Sequence, residues 1–339
     1  MKNQSIDFRV AFATLALLLA LTEALLGVWS PRYWQQGRHA ALVSESLLQD
    51  RLRALAPQPQ RHAERSLLVL GDSVLWGSAL REHGVPAWRD KTPGAFVEAG
   101  LPEGWRLLEF SADGLMPADM EALLERGLAL KPQAVVLQWN YRMLAAAAPA
   151  RPGLAPGSPF SRPWLDAQEP SPAWDEHAGD FLRRHWSALR YSELAAFLLF
   201  QPTLKGALER GLDALFPKAS DPDAEEAMLD MKIRPYYEAS ALAPDAPALE
   251  ALRRMSARLR QAGIPSLVFL SPQNEVRISG VLNRPAYAAN RRLLAAAAKG
   301  LPYRDWSSRK IEGSFLDHCH LDEAGNRGLA QWILGELKL

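Results

Sequence analysis

The 339-residue chain has one cysteine, Cys319. An intramolecular disulfide is therefore impossible, and zinc sites built on paired Cys-x-x-Cys motifs are excluded. There is no excess of charge of either sign: Lys+Arg 39 stand against Asp+Glu 38, a formal net charge of +1. That balance offers no basic face for nucleic acid and no acidic, solvating tail. No internal repeat is visible. What remains is an ordinary globular composition, 48% hydrophobic and 23% charged, with enough apolar material for a substantial core. The 25 prolines and 11 tryptophans are a high count, and the prolines cluster.

The first thirty residues differ from the rest. "VAFATLALLLALTEALLGVW", residues 10–29, has about the ~20 residues that cross a hydrocarbon core as a helix. Lys2 and Arg9 precede it, and Trp29, Tyr33 and Trp34 follow it as interfacial aromatics often do. A cleaved signal peptide is the rival. It would have a shorter apolar region and small residues before the cleavage point, whereas this run ends in Leu-Leu-Gly-Val-Trp-Ser-Pro, with no Ala-x-Ala site at that end. The expectation is an uncleaved anchor at residues 1–34, with the body outside the cytoplasm on the periplasmic side. Arg32 and Arg38 blunt the charge asymmetry that sets orientation. Glu23 lies inside the run, where a carboxylate meets either a partner helix or the nearby interface.

A polar connector follows at 35–65, with an amphipathic stretch ended by Pro57 and Pro59. Then short apolar runs alternate with helical patterns. Strands are expected at 66–73, 105–114, 134–140, 265–274 and 302–307. Helices are expected after the second strand, before the fourth and fifth, and at the chain end. This rhythm implies crossover units and a mostly parallel sheet. Ligands of such sheets bind beyond the carboxyl ends of the strands. Residues 142–245 interrupt the rhythm with a Pro/Ala-rich stretch and then helical segments. Among them is "LAAFLLF", which suits either the core or a membrane-proximal surface.

Each chemically suggestive residue falls at a strand end. "SLLVLGDSVLWG" (66–77) brings Ser73 to the tip of an apolar run. A serine hydroxyl needs a base to become a nucleophile, and a strand-to-helix turn exposes Oγ beside helix N–H groups. Gly-Asp-Ser is also common turn chemistry. Near the other terminus, "DHCHL" places Asp317 three residues before His320, just ahead of a helix. The carboxylate can accept from one ring nitrogen while the other serves as base. Asp-His-x-His would also suit a metal, but no further cluster completes a first shell, so no metal or other cofactor is expected. Cys319 between the histidines reads as a small buried hydrophobe. Gly114 ends the second strand and Asn140 the third. Each fits an oxyanion donor and each also fits a plain strand terminus.

Taken together, "GDSVLWG", Gly114, Asn140 and "DHCHL" resemble the ordered blocks of the SGNH (GDSL-type) hydrolase superfamily over roughly residues 66–141 and 265–339. The resemblance implies a three-layer α/β/α sandwich around a mostly parallel five-stranded sheet, with the catalytic domain spanning 66–339. It makes Ser73 the nucleophile, Asp317 and His320 the orienting acid and base, and Ser73 N–H, Gly114 and Asn140 the oxyanion hole. One block departs: Gly-x-Asn-Asp is usual where this chain has Gln138-Trp139-Asn140-Tyr141. With the anchor and the long insertion, that departure resembles the envelope-modifying branch. It is similar to the D-alanyl-lipoteichoic-acid protein and to polysaccharide O-acetyltransferases, several of which work beside a multi-spanning membrane-bound O-acyltransferase. Three functions follow: an O-acyltransferase for an envelope glycan, an anchored esterase, or an inactive scaffold. Trp164, Trp174 and Trp186 in the insertion suit either sugar stacking or a core.

Overall fold

Five apolar runs become five parallel strands: β1 (Arg65–Gly71), β2 (Trp105–Ser111), β3 (Ala134–Trp139), β4 (Ser266–Leu270) and β5 (Tyr303–Asp305). Their order is β2-β1-β3-β4-β5, all neighbours parallel. The strand order of this doubly wound sheet reverses between β1 and β3, which is where such sheets place their ligands. The computed structural model describes residues 65–112, 114–144, 240–307 and 315–339. It also describes 13, 14, 16–18, 20–25, 51, 52, 55, 233, 234 and 237.

Among the described residues seven α-helices accompany the sheet. They are α1 (Ser73–Trp76), α2 (Ser78–Glu82), α3 (Pro93–Gly100), α4 (Pro117–Leu128), α5 (Pro247–Ala262), α6 (Arg284–Ala297) and α7 (Glu323–Leu337). Strand alternation divides the core in two. Leu68, Leu70, Leu108, Phe110, Val135, Leu137, Val268 and Leu270 pack with α4, α5 and α6. Leu67, Val69, Leu107, Val136, Leu267 and Phe269 pack with Val97 of α3 and with Leu329, Ala330 and Ile333 of α7. Helices therefore cover both faces, giving three layers. Each fully buried Leu or Val contributes about 1.5–3 kcal/mol relative to exposure, and a slip of one residue would exchange the two faces. The register is fixed by that penalty.

The expected strands all form. They stop earlier than the apolar runs suggest, so Ser73, Gly114 and Asn140 lie just beyond the carboxyl ends of β1, β2 and β3 rather than within them. Helix starts follow the side chains present: the Thr92 hydroxyl accepts from Ala95 N at 3.2 Å, and Asp322 Oδ1 accepts from Gly325 N at 2.9 Å.

Among the described residues no helix is long and apolar enough to cross a membrane. The expected anchor is described only at 13, 14, 16–18 and 20–25, which are helical, with Leu17, Leu18, Leu21 and Leu25 exposed. The rest of it lies outside the described residues, as do "LAAFLLF" and the three insertion tryptophans. The connector is described at 51, 52, 55 and 65, the last of which already belongs to β1. Arg51 and Leu55 are buried there, the Arg51 guanidinium donating to Glu109 O at 2.9 Å and lying over the Phe110 ring.

Candidate active site

The turn after β1 is built around Asp72. Its carboxylate caps α1, Oδ1 accepting from Val74 N at 3.0 Å, while Oδ2 accepts from Arg142 Nε at 3.3 Å. Its backbone N–H donates to Gln138 Oε1 on the neighbouring strand at 2.7 Å. Gly77 ends α1 after one turn, in the left-handed region at φ 80°, its N–H returning to Ser73 O at 2.9 Å. A side chain at 77 would be strained there and would also meet Thr92 at 2.5 Å. The glycine noted in the sequence thus closes the single helical turn that presents Ser73.

The Ser73 hydroxyl lies 2.9 Å from His320 Nε2, and His320 Nδ1 lies 2.7 Å from Asp317 Oδ2. Residues 247 positions apart thereby join in one line of hydrogen bonds. Asp317 Oδ1 also accepts from the backbone N–H groups of Cys319 (2.9 Å) and His320 (2.8 Å). This carboxylate therefore shapes the loop as well as the ring. Burial alone would raise the Asp317 pKa, but the hydrogen bond and charge of His320 outweigh it and hold the carboxyl well below the usual range. Burial would likewise lower the His320 pKa. The adjacent Cys319 sulfur and the bond to Asp317 reverse that and raise it well above an ordinary imidazole. Cys319, pushed up by burial, is brought down to about 7 by the two neighbouring histidines.

Asn140 is fully buried. Its Oδ1 accepts from Arg142 N at 3.2 Å, which turns Nδ2 the other way, toward Cys319 Sγ at 3.8 Å. That sulfur lies 3.6 Å from His320 Nδ1, so Asn140 reaches the triad through Cys319. One amide hydrogen of Asn140 serves the sulfur and a second is left over. Gly114 sits exposed at φ 76°. Among the described residues no hydrogen bond ties it to the serine, and neither its N–H nor that of Ser73 meets an acceptor.

Gln138 and Tyr141, on either side of Trp139 and Asn140, have defined partners. Gln138 holds Asp72 N. Tyr141 is buried between Tyr287 and Tyr237, with ring centroids at 4.5 and 5.8 Å, and its hydroxyl accepts from Asn290 Nδ2 at 3.1 Å. Sequence reasoning missed Gln138 and Asn274. Asn274 N donates to His318 O at 2.9 Å and its Nδ2 to Asp317 O at 3.2 Å, holding the 317–318 backbone from the end of β4. Gln138 did leave a signal: it is a polar residue inside an otherwise apolar, fully buried strand, which requires a partner.

Among the described residues one group of metal-capable side chains comes together. The ligand atoms of Asp317, Cys319 and His320 lie within 4.8 Å of one another. Two of these groups already bond each other. A surface pocket of about 420 Å³ lies beside the loop, lined by Leu316, Leu80, Val85 and the start of α7, and no triad side chain lines it.

No protein-family model matches the chain, and no curated protein matches it. Among solved structures, a "putative acylhydrolase" from Bacteroides fragilis aligns at 12% identity and TM-score 0.42, over 87% of this chain and 97% of its own. LAE5, an alpha/beta hydrolase enzyme from the metagenome of Lake Arreo, Spain, aligns at 12% identity and TM-score 0.39, over 82% and 97%.

Proposed function

We propose that this protein is a serine acyl-transfer enzyme of the SGNH (GDSL) kind, working through an ester on Ser73. The observation that carries the reading is the Ser73–His320–Asp317 line of hydrogen bonds at the β1/β3 reversal of the sheet. His320 Nε2 takes the hydroxyl proton as Ser73 Oγ bonds to the acyl carbon. The oxyanion that develops accepts from the Ser73 and Gly114 N–H groups and from Asn140 Nδ2. The imidazolium then gives its proton to the departing alkoxide as the acyl–oxygen bond breaks. An incoming hydroxyl, deprotonated by His320, attacks the acyl-enzyme and restores Ser73. Asp317 keeps Nδ1 protonated throughout and stabilises the imidazolium.

The incoming hydroxyl is that of a cell-envelope or exported glycan, making the protein an O-acyltransferase. Support comes from the apolar run at 10–29 and its exposed leucines, which suit a tether in the membrane with the body on its periplasmic side. A multi-spanning O-acyltransferase is the natural acyl donor in that setting, with Glu23 as its contact. Water as acceptor is the second reading. It is favoured by the partial exposure of His320 and Asp317, which leaves the acyl ester within reach of solvent. The intact hydrogen-bonded triad speaks against a mere scaffold.

The test is fluorophosphonate labelling of the full-length protein beside Ser73→Ala, with p-nitrophenyl acetate turned over with and without a glycan acceptor. Labelling is expected in the wild type and absent in the variant, with acyl groups captured on the glycan. Release unaffected by acceptor would select the esterase. A folded wild type that neither labels nor turns over would refute both.

A further inference from the structure

Three consecutive amides, those of Asp72, Ser73 and Val74, point from the turn that carries the nucleophile. The first donates to Gln138 Oε1 at 2.7 Å and the third to Asp72 Oδ1 at 3.0 Å. Among the described residues the middle one has no acceptor. Gln138 is fully buried near the carboxyl end of β3, and its side chain crosses to the neighbouring strand to make this bond. It fits over Gly71 so closely that a Cβ at 71 would stand 2.5 Å from Oε1.

We propose that Gln138 is a positioning residue: by taking the Asp72 N–H it fixes the Gly71–Asp72 peptide and so aims the Ser73 N–H at the acyl oxygen. The inference rests on the acyl-enzyme reading above. The two peptide planes flanking Asp72 share its φ and ψ. One is anchored by Gln138, and the Asp72 side chain is anchored by Val74 N and Arg142. Without an acceptor at 138, the Asp72 N–H would be buried and unpaired. The turn would then relieve that cost by rotating the peptide. The same rotation carries the Ser73 N–H off its line. An oxyanion donor works only where it is already aimed before charge develops, so the loss falls on turnover rather than on substrate binding.

The test compares Gln138→Leu, which has no acceptor, with Gln138→Glu, which keeps one, in the full-length protein. The readouts are kcat and KM for p-nitrophenyl acetate, the rate of fluorophosphonate labelling, hydrogen exchange of the peptide containing Asp72, and the melting temperature. For Gln138→Leu we expect kcat and labelling rate to fall about 10- to 100-fold, approaching the loss of a whole donor. KM should stay nearly unchanged and exchange at Asp72 should quicken. Gln138→Glu should recover most of the loss. Equal losses in both variants, losses that follow the melting temperature, or an unchanged kcat in Gln138→Leu would overturn the inference while leaving a live Ser73 in place. A wild type with an unreactive Ser73 would bring down the acyl-enzyme reading and the inference with it.

Discussion

Ser73 and His320 arrive at the same point by different means. Ser73 stands on regular structure: it follows the end of a central strand, opens one capped helical turn, and adjoins Asp72, whose N–H donates to Gln138 of the adjacent strand. Its partners stand on residues 315–322, which have no strand or helix beyond a single antiparallel bridge between Phe315 and Leu321. That loop is held by Leu316 N donating to His320 O at 2.8 Å, by Asn274, and above all by the Asp317 carboxylate. Ser73 is thus positioned by the sheet, whereas His320 is positioned by Asp317, whose carboxylate also shapes the loop that carries both. Changes on the two sides should fail differently.

The largest effect is expected at Asp317. Asp317→Asn keeps an oxygen for the two backbone N–H groups but removes the charge, and kcat should fall about 10⁴-fold as His320 loses its proper tautomer. Asp317→Ala loses the staple as well and should also lower the melting temperature. On the proposed acyl-enzyme route His320 must be neutral to take the Ser73 proton, so the acidic limb of the wild-type rate profile should lie above the ordinary imidazole value of about 6.5, and Asp317→Asn should move it down. Stability runs the other way. The raised His320 pKa contributes fully below about 6.5 and is lost as pH rises through its folded value. The depressed Asp317 pKa contributes above about 3.9 and is lost only as pH falls through its own folded value. A rate profile and a melting profile on the same samples check both.

On the sheet side, Asn140→Ala should lower kcat about 10²- to 10³-fold with little change in KM, as for a removed oxyanion donor. Unchanged turnover would leave Asn140 as a link between Arg142 N and Cys319 alone. The smallest effect is expected at Asn274→Ala. It removes one side-chain bond to the loop, worth about 1 kcal/mol, and should cost a few-fold in kcat with Ser73 labelling slowed in proportion. If Asn274→Ala matched Asp317→Ala, the loop would be held from β4 rather than by its own acid.

The contrast also explains what the sequence made legible. The strands were readable because a central parallel strand is apolar throughout, and the rule that ligands sit beyond strand ends then singled out Ser73, Gly114 and Asn140. Asp317 and His320 were readable because their bond spans three residues. Gln138 and Asn274 act on backbone 66 and 43 residues away, and no local spacing announces such partners. α3 was missed for another reason. Its sequence, PGAFVEAG, holds two glycines that argue against a helix, and only Thr92 and Pro93 mark its start. Tyr141 looked like a defect in a motif; packed among Tyr237 and Tyr287, it belongs to the core.

Arg51 and Leu55 bear on how the sheet ends. β5 is a three-residue edge, too short to recruit a neighbour, but β2 is seven residues long and stands at the opposite border. A long open border is a template for pairing with another chain. Here Arg51 occupies the Glu109 carbonyl, and Arg106 reaches the Leu55 carbonyl at 3.4 Å. Arg51 and Leu55 therefore lie against this border, and a fragment trimmed back to residue 65 would leave the Glu109 carbonyl without its guanidinium donor.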